Sequence, residues 1–453
     1  MEIESKILII NAASQAGPFM QIENKESFIP EHPIIAIVGV ISPQILGHKT
    51  IEESNHSLYE LKQLLRTLHL TSIKEYVQSI KKIDPGHVIG EGKIQEIQKD
   101  IETIGFNLLV FDIELSASQH RNIQQTTGLT VVDRNMIILE IFARHARSKD
   151  AKMQIEIAKL EYVLPRIHSV WYHQDRGTGG GPGMRSGQGE TAKELEKRAI
   201  KERIAHYKKE SGAIETNLTE QRKKRDENTY LAALVGYTNA GKSSLMNRLC
   251  HEEVLEEDKL FATVDAVYRS LSVHFKPPIL LIDTVGFISN LPTQLVKGFR
   301  TTLASVKEAH YLIIVSDISH IHCKEQLLVT LEVLKDLKVD RPSIIVFNKK
   351  DKMHENERAK DILKEFPNHL LVSSFDENDV EQIKQHVVNY FHSVQTTYHL
   401  MIPYADGYAH AKIMELGNII NSENCVDGIK YHVTVNPSLV NSEIVVKYKM
   451  GIN

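Results

Sequence analysis

The most informative segment of this chain is Gly236-Tyr-Thr-Asn-Ala-Gly-Lys-Ser243. An apolar run, 231–235, precedes it, and a helical pattern, 244–249, follows it. In this strand-to-helix setting the glycines let backbone N–H groups converge on phosphate oxygens, Lys242 supplies a positive charge, and the Ser243 hydroxyl can ligate Mg²⁺. The stretch therefore predicts a phosphate-binding loop, and the chain is expected to bind a nucleoside triphosphate.

A second motif, farther along the chain, indicates which base is bound. The apolar strand pattern 343–347 runs directly into Asn348-Lys-Lys-Asp351, the guanine-reading pattern of G domains. The Asp351 carboxylate can accept hydrogen bonds from guanine N1–H and from the exocyclic amine, whereas adenine has no donor at these positions. Leu370-Leu-Val-Ser-Ser374 is interpreted as the loop that packs on the guanine ring, and an ordinary strand end remains an alternative for this segment.

Two segments between these motifs complete the predicted phosphate site. The strand pattern 279–282 delivers Asp283 to the Mg²⁺ shell, and Gly286 offers a backbone N–H to the γ-phosphate. Thr263 is positioned to ligate the metal only when the γ-phosphate is present, which is how a switch loop senses hydrolysis. Phe287 stands where small GTPases carry the Gln that orients the attacking water, so we predict slow GTP hydrolysis without a partner.

These motifs assign predicted roles to individual residues. The predicted catalytic residues are Lys242, Thr263 and Gly286, and the predicted Mg²⁺ ligands are Ser243 and Thr263. The residues predicted to bind the nucleotide are Gly236, Tyr237, Thr238, Asn239, Ala240, Gly241, Lys242, Ser243, Phe261, Ala262, Thr263, Val264, Asp265, Asp283, Thr284, Val285, Gly286, Asn348, Lys349, Lys350, Asp351, Val372, Ser373 and Ser374.

Composition limits the class of protein. The chain has 453 residues, of which 42% are hydrophobic and 25% charged, which is typical of a globular protein with two to four domains. No signal-like N-terminus or membrane-spanning run is evident, and Cys250, Cys323 and Cys425 are isolated, so we expect a cytoplasmic protein. The net charge of −4 means that any RNA contact must come from a local patch.

The pattern along the chain predicts an α/β protein with four parts. A small N-terminal α/β domain, 1–148, is followed by a helical hairpin, 149–227, in which Leu195, Ile200 and Ile204 are expected to face inward. The P-loop G domain, with a mostly parallel sheet and flanking helices, is assigned to the residues 228–393. A small C-terminal α/β domain, 394–453, completes the chain.

Two local features of these parts carry their own predictions. The hairpin helices are joined by 176–189, where seven of fourteen residues are glycine. This segment is either a flexible spacer or a reaching tip whose Arg176 and Arg185 contact RNA phosphates. In the C-terminal part, a helix is predicted from Gly407 to Ile420 and a strand from Gly428 to Val435.

Several segments together resemble the HflX family of translational GTPases over about residues 80 to 390. The resemblance is carried by the runs Val131-Val-Asp133-Arg134, Ile141-Phe-Ala-Arg-His-Ala-Arg147, Gln154-Ile-Glu-Ile-Ala-Lys-Leu-Glu-Tyr-Val-Leu-Pro165-Arg166, Gly189-Glu190-Thr191 and Asp283-Thr-Val-Gly-Phe287-Ile. The family usually reads Leu-Asp-Pro-Thr-Thr-Arg after the switch threonine, whereas this chain has Val-Asp-Ala-Val-Tyr-Arg at 264–269.

This resemblance implies a function and a partner. It implies a factor that binds the large ribosomal subunit and can split or rescue stalled ribosomes. From the motifs we expect a GTPase that hydrolyses GTP with Mg²⁺, and we expect it to be a monomer. It also implies that the tip 176–189 reaches ribosomal RNA near the peptidyl transferase centre, and no membrane partner is expected. Two alternatives remain open at this point: a ribosome-assembly or RNA-processing GTPase, and a regulatory G protein that gates a protein partner.

Overall fold

The structure is a computed structural model that describes residues 27–45, 47–166, 194–195, 197–212, 214, 229–250, 267–272, 275–288, 305–353, 357–435 and 443–450. These residues fall into two compact units. The first contains a four-stranded sheet and a helical hairpin, and the second contains a six-stranded and a three-stranded sheet. None of the helices in these ranges combines the length and apolar character needed to cross a membrane.

The sheet of the first unit is parallel throughout and has the strand order β2-β1-β3-β4. Its strands are β1 (Ile35–Ile41), β2 (Ser72–Ser79), β3 (Leu108–Phe111) and β4 (Thr130–Asp133). The connecting and following helices are α1 (Ile51–Thr67), α2 (Glu91–Ile104), α3 (Ala117–Thr127) and α4 (Arg134–His145). The central strands β1 and β3 are apolar and almost fully buried, as expected where crossover helices cover a parallel sheet.

Two of the segments that carry the family resemblance meet in the first unit, where helix α5 (Lys149–Val163) ends. The Tyr162 hydroxyl donates a hydrogen bond to Asp133, which also accepts the backbone N–H of Leu115 at 3.0 Å. The Arg166 guanidinium lies 3.7 Å from the centre of the Tyr162 ring and donates to the Leu115 carbonyl at 2.6 Å. These contacts tie α5 to the carboxyl end of β4.

The helical hairpin pairs α5 with α6, the helical residues 197–212. Its apolar seam consists of Ile157, Leu160, Ile200 and Ile204. Leu195 does not face inward as expected, because its side chain is 49% exposed. Leu195 is also absent from the cluster that forms this seam. The tip 176–189 lies outside the described residues.

The six-stranded sheet of the second unit has the order β10-β9-β8-β5-β7-β6, and all its pairs are parallel except β6 with β7. Its strands are β5 (Tyr230–Gly236), β6 (Val267–Ser272), β7 (Ile279–Asp283), β8 (Tyr311–Asp317), β9 (Ser343–Asn348) and β10 (His369–Leu371). Its helices include α7 (Lys242–Leu249), α8 (Cys323–Asp336), α9 (Glu357–Glu365) and α10 (Glu377–Val394). The α/β class with a mostly parallel P-loop sheet is thereby confirmed.

The three-stranded sheet of the second unit is antiparallel, with the order β11-β13-β12. It consists of β11 (Thr396–Ile402), β12 (Gly417–Cys425) and β13 (Gly428–Val435), with helices α11 (Gly407–Leu416) and α12 (Glu443–Tyr448). The predicted strand from Gly428 to Val435 is confirmed. The prediction of a helix through Ile420 was wrong, because α11 ends at Leu416. At Gly417 an added Cβ would lie 2.5 Å from the Val433 side chain, and this close strand pairing overrides the local helical pattern.

Candidate nucleotide-binding site

The phosphate loop follows β5, one of the two central strands of the six-stranded sheet, and leads into α7. Gly236 lies so close to β8 that an added Cβ would be 2.1 Å from the Val315 carbonyl oxygen. Gly241 is in the left-handed region, with φ of +91°, and it immediately precedes the first residue of α7, Lys242. The glycine spacing of the motif thus matches two positions where the backbone accepts no side chain.

Lys242 is the buried cation of this loop. Its side chain folds back so that Nζ donates to the carbonyl oxygens of Gly236 and Tyr237, at 3.1 and 2.7 Å. The residue is only 6% exposed, and burial lowers the pKa of Lys242 to about 8, although the Asp283 carboxylate acts in the opposite direction. A bound phosphate would favour the protonated form, because an anion beside a desolvated ammonium offsets the cost of its burial.

The groups around Lys242 fit a Mg²⁺-bound phosphate chain. The Thr238 Oγ1 atom is buried and makes no hydrogen bond within the described residues. A Cβ on Gly286 would lie 3.0 Å from Lys242 Nζ, so glycine keeps this space beside the ammonium open. The Ser243 hydroxyl donates to Asp283 at 2.7 Å, and a hydroxyl beside a carboxylate is an oxygen donor set that Mg²⁺ accepts.

The guanine-side loops converge on Asn348, which is completely buried at the end of β9. Its amide nitrogen donates to the Ala240 carbonyl at 3.1 Å, and its amide oxygen accepts the backbone N–H of Ser374 at 3.0 Å. One side chain therefore connects the phosphate loop, the Asn-Lys-Lys-Asp motif and the loop after β10. Asn348 thereby joins the guanine-side motifs to the phosphate loop, whose Ala240 lies 108 residues earlier in the chain.

The remaining residues of the guanine motif have different environments. Asp351 accepts a hydrogen bond from the Ser373 hydroxyl at 2.6 Å, which orients its carboxylate. Lys349 adopts a left-handed φ of +63°, and its Nζ donates to the Asn239 carbonyl at 2.8 Å. Lys350 points elsewhere: its Nζ donates to Asp379 in α10 at 2.6 Å, and this hydrogen bond raises the pKa of Lys350.

Phe287 connects the segment after β7 to the phosphate loop through its backbone. Its N–H donates to the Gly236 carbonyl at 3.0 Å, and its carbonyl accepts the N–H of Thr238 at 2.7 Å. The ring itself is 1% exposed. A buried phenyl group offers no hydrogen bond to a water molecule, which is the physical basis of the predicted slow hydrolysis.

The structure brings most of the predicted nucleotide-binding residues to the carboxyl ends of β5, β7 and β9. The predicted residues 261–265, including Thr263, lie outside the described residues. Sequence reasoning missed Asp317, which ends β8 and pairs with Lys349 at 2.8 Å, and Asp379, which accepts the Ser373 N–H at 2.7 Å. The position of Asp317 directly after an apolar strand is the same signal that identified Asp283 and could have found it.

Three family models match consecutive parts of the chain. Residues 55–143 match a model described as GTP-binding GTPase N-terminal, and residues 145–225 match a GTP-binding GTPase middle region. Residues 231–349 match a model described as 50S ribosome-binding GTPase.

Curated relatives named GTPase HflX are similar to most of the chain. The protein of Alkalihalophilus pseudofirmus is 36% identical over 363 residues, covering 79% of this chain and 84% of the relative. That of Gluconacetobacter diazotrophicus is 32% identical over 450 residues, covering 91% and 97%. That of Flavobacterium psychrophilum is 40% identical over 312 residues, covering 68% and 75%.

Among solved structures, a GTP-binding protein of Sulfolobus solfataricus in complex with GDP is 24% identical, covers 78% of this chain and 99% of its own, and has a TM-score of 0.41. The family assignment comes from the sequence relatives, which are at least 32% identical and span over two thirds of the chain. Together with the matched models, they confirm the resemblance found in the sequence. The chain belongs to the HflX family of GTPases.

Proposed function

We propose that this GTPase is a cytoplasmic, Mg²⁺-dependent factor that binds the large ribosomal subunit and splits or rescues stalled ribosomes. The observation that carries the GTP site is the buried Asn348, which links the phosphate loop to the two guanine-side loops. Support for the ribosomal partner comes from the 50S ribosome-binding GTPase model matched by 231–349 and from the glycine-rich segment 176–189.

The reaction we propose is attack of water on the γ-phosphate, which breaks the bond to the oxygen bridging the β- and γ-phosphates and yields GDP and inorganic phosphate. Lys242 stabilises the charge that develops on these oxygens, and the Gly286 backbone N–H binds the γ-phosphate. Asp351 and Asn348 hold the guanine base and its loop. These groups position the substrate, whereas none of them activates the attacking water.

Mg²⁺ would be held by Ser243 and Thr263, with Asp283 in its outer shell. When bound, the metal would neutralise part of the charge on the β- and γ-phosphates. The Ser243 hydroxyl already lies within hydrogen-bond distance of Asp283, so this part of the donor set is formed by the folded chain itself.

The large subunit is proposed to supply the catalytic help that the isolated chain lacks. The Phe287 side chain carries no hydrogen-bonding group and is buried, so it cannot orient water. A ribosomal contact that orders the attacking water or adds positive charge would then raise the rate. Contact between the tip 176–189 and ribosomal RNA near the peptidyl transferase centre is proposed to place the G domain for this step.

Phosphate release from GTP tests this proposal directly. The full chain is measured alone, with isolated large subunits and, as the matched control, with isolated small subunits at the same concentration. We expect large subunits to stimulate hydrolysis by at least about tenfold and small subunits to have little effect. Equal stimulation by both subunits, or by neither, would refute the large subunit as the activating partner.

A second measurement separates ribosome splitting from ribosome assembly. Intact ribosomes are incubated with the chain and GTP, and their dissociation is followed by light scattering; GDP serves as the control. We expect dissociation only with GTP, and we expect a variant with 177–189 replaced by a short neutral turn to lose it. If intact ribosomes stay associated while depletion of the protein causes assembly precursors to accumulate, the assembly alternative replaces the splitting proposal.

A further inference from the structure

The acidic residue at the end of β8 lies next to the guanine motif, although none of the sequence motifs includes it. Asp317 pairs in register with Asn348 of β9. Its Oδ2 atom lies 2.8 Å from Lys349 Nζ, and the two side chains are only 11% and 18% exposed. An ion pair in such a partly desolvated position is screened less by salt than one on an open surface.

The Asp317 carboxylate is oriented by its own turn. Its Oδ1 atom accepts the Ser319 backbone N–H at 3.0 Å and the Ser319 hydroxyl at 2.6 Å. The backbone N–H of Ile318 donates to the Asn348 carbonyl at 3.1 Å, which fixes this turn against β9. The second oxygen is therefore directed at Lys349 before any nucleotide binds.

Lys349 spans two loops of the site. Its α-carbon belongs to the guanine motif, whereas its Nζ reaches the Asn239 carbonyl of the phosphate loop at 2.8 Å. Among the described residues, removing Asp317 would leave the Lys349 ammonium with the neutral Asn239 carbonyl as its acceptor. Holding a lysine side chain in one geometry costs up to about 2 kcal/mol of rotamer entropy, and the charged partner helps to offset this cost. Asp317 is thus the charged group that can hold this bridge closed.

We propose that Asp317 is a positioning residue for guanine-nucleotide binding: it holds Lys349 as a bridge between the base-reading loop and the phosphate loop. This inference rests on the proposed guanine site. A nucleotide contacts both loops at once, so a fixed bridge lowers the cost of organising the site on binding. Because Asp317 would act through Lys349, we expect its effect to be independent of the guanine 2-amino group.

The test is a double-mutant cycle on the affinity of the full chain for GDP, measured with a fluorescent GDP analogue. We expect Asp317→Asn and Lys349→Met each to weaken GDP binding by about tenfold, and the double variant to be no weaker than either single variant. Asp317→Glu, which keeps the charge, should recover most of the affinity. Asp361→Asn, at an exposed aspartate of α9, is the matched control and should bind as wild type does.

Two results would overturn the role of Asp317. One is an Asp317→Asn variant that binds GDP within twofold of wild type. The other is an equal loss of affinity in the wild-type and Lys349→Met backgrounds, which would mean that Asp317 acts through general stability. Asp317→Asn should also weaken the binding of IDP, which lacks the 2-amino group, by the same factor as it weakens the binding of GDP. The preference of the wild-type chain for GDP over ADP is measured in parallel. If the chain shows no such preference, the proposed guanine site is refuted. If it prefers GDP but Asp317 and Lys349 are not coupled, only the role of Asp317 is refuted.

Discussion

Replacing Gly241 by alanine tests how tightly the phosphate loop is packed against the guanine motif. The added Cβ would lie 2.3 Å from the Asn348 amide nitrogen, and the backbone φ of +91° is itself unfavourable for alanine. The left-handed conformation costs about 1 kcal/mol. Asn348 is completely buried, so moving it breaks one or both of its hydrogen bonds, at a cost of about 1 to 3 kcal/mol. We therefore expect a total destabilisation of about 2 to 4 kcal/mol.

The assay is thermal and urea unfolding of the full chain, together with GDP binding. A loss of this size should lower the melting temperature of the G domain by roughly 5 to 15 °C and should also weaken GDP binding. Gly407→Ala is the matched control in the same unit, because an added Cβ there meets no atom within 4 Å. The reasoning is refuted if Gly241→Ala and Gly407→Ala unfold within 1 °C of each other and bind GDP equally well.

Three further predictions concern the base, the hairpin and pH. Asp351→Asn should weaken GDP binding by about a hundredfold and favour XDP, because an amide can donate to the xanthine 2-oxo group; competition binding measures both. Tyr162→Phe should destabilise the first unit by about 1.5 to 3 kcal/mol, measured by urea unfolding, because Asp133 loses its hydroxyl donor. Burial lowers the pKa of His120 to about 4, so this histidine stays neutral in the folded chain above that pH. In the unfolded chain the same histidine takes up a proton below its usual pKa of about 6.5. The free energy of unfolding should therefore decrease by up to roughly 3 kcal/mol between pH 6.5 and pH 4. Urea unfolding at several pH values measures this decrease, which should be smaller in His120→Gln.

Each of these predictions has a contradicting result. An unchanged preference for GDP over XDP in Asp351→Asn would remove the carboxylate from base recognition. Unfolding of Tyr162→Phe within about 0.5 kcal/mol of wild type would mean that the hydroxyl contributes little net stability. A pH profile of His120→Gln with the wild-type slope between pH 6.5 and 4 would assign the proton uptake to other groups.

Short motifs with a defined chemical role could be recognised from the amino-acid sequence alone. The glycine and lysine spacing of 236–243 allows few backbone conformations, and Asn348-Lys-Lys-Asp351 at a strand end predicts a carboxylate that binds the base. Both motifs depend on local geometry, so their place in a strand-loop-helix unit follows from their neighbours. Long apolar runs such as β5 were likewise readable, because a central parallel strand is buried on both faces.

Local patterns failed where a distant part of the chain decides the outcome. The helical pattern after Gly407 continues to Ile420 in the sequence, yet β13 recruits the residues from Gly417 onward as a strand. Leu195 fits an apolar seam by spacing alone, but it is 49% exposed and does not belong to the seam, because helical spacing does not fix which residues a distant helix covers.

The amino-acid sequence was enough to predict a phosphate loop, a guanine-binding motif and the buried strands that present them. Which side chains connect these parts became visible in the folded structure alone. Asn348 contacts Ala240 across 108 positions of the chain, and Asp317 meets Lys349 across a strand pair. Such partners are chosen by sheet order and register, and these arise from the packing of the whole core, so a pattern within one segment does not contain them.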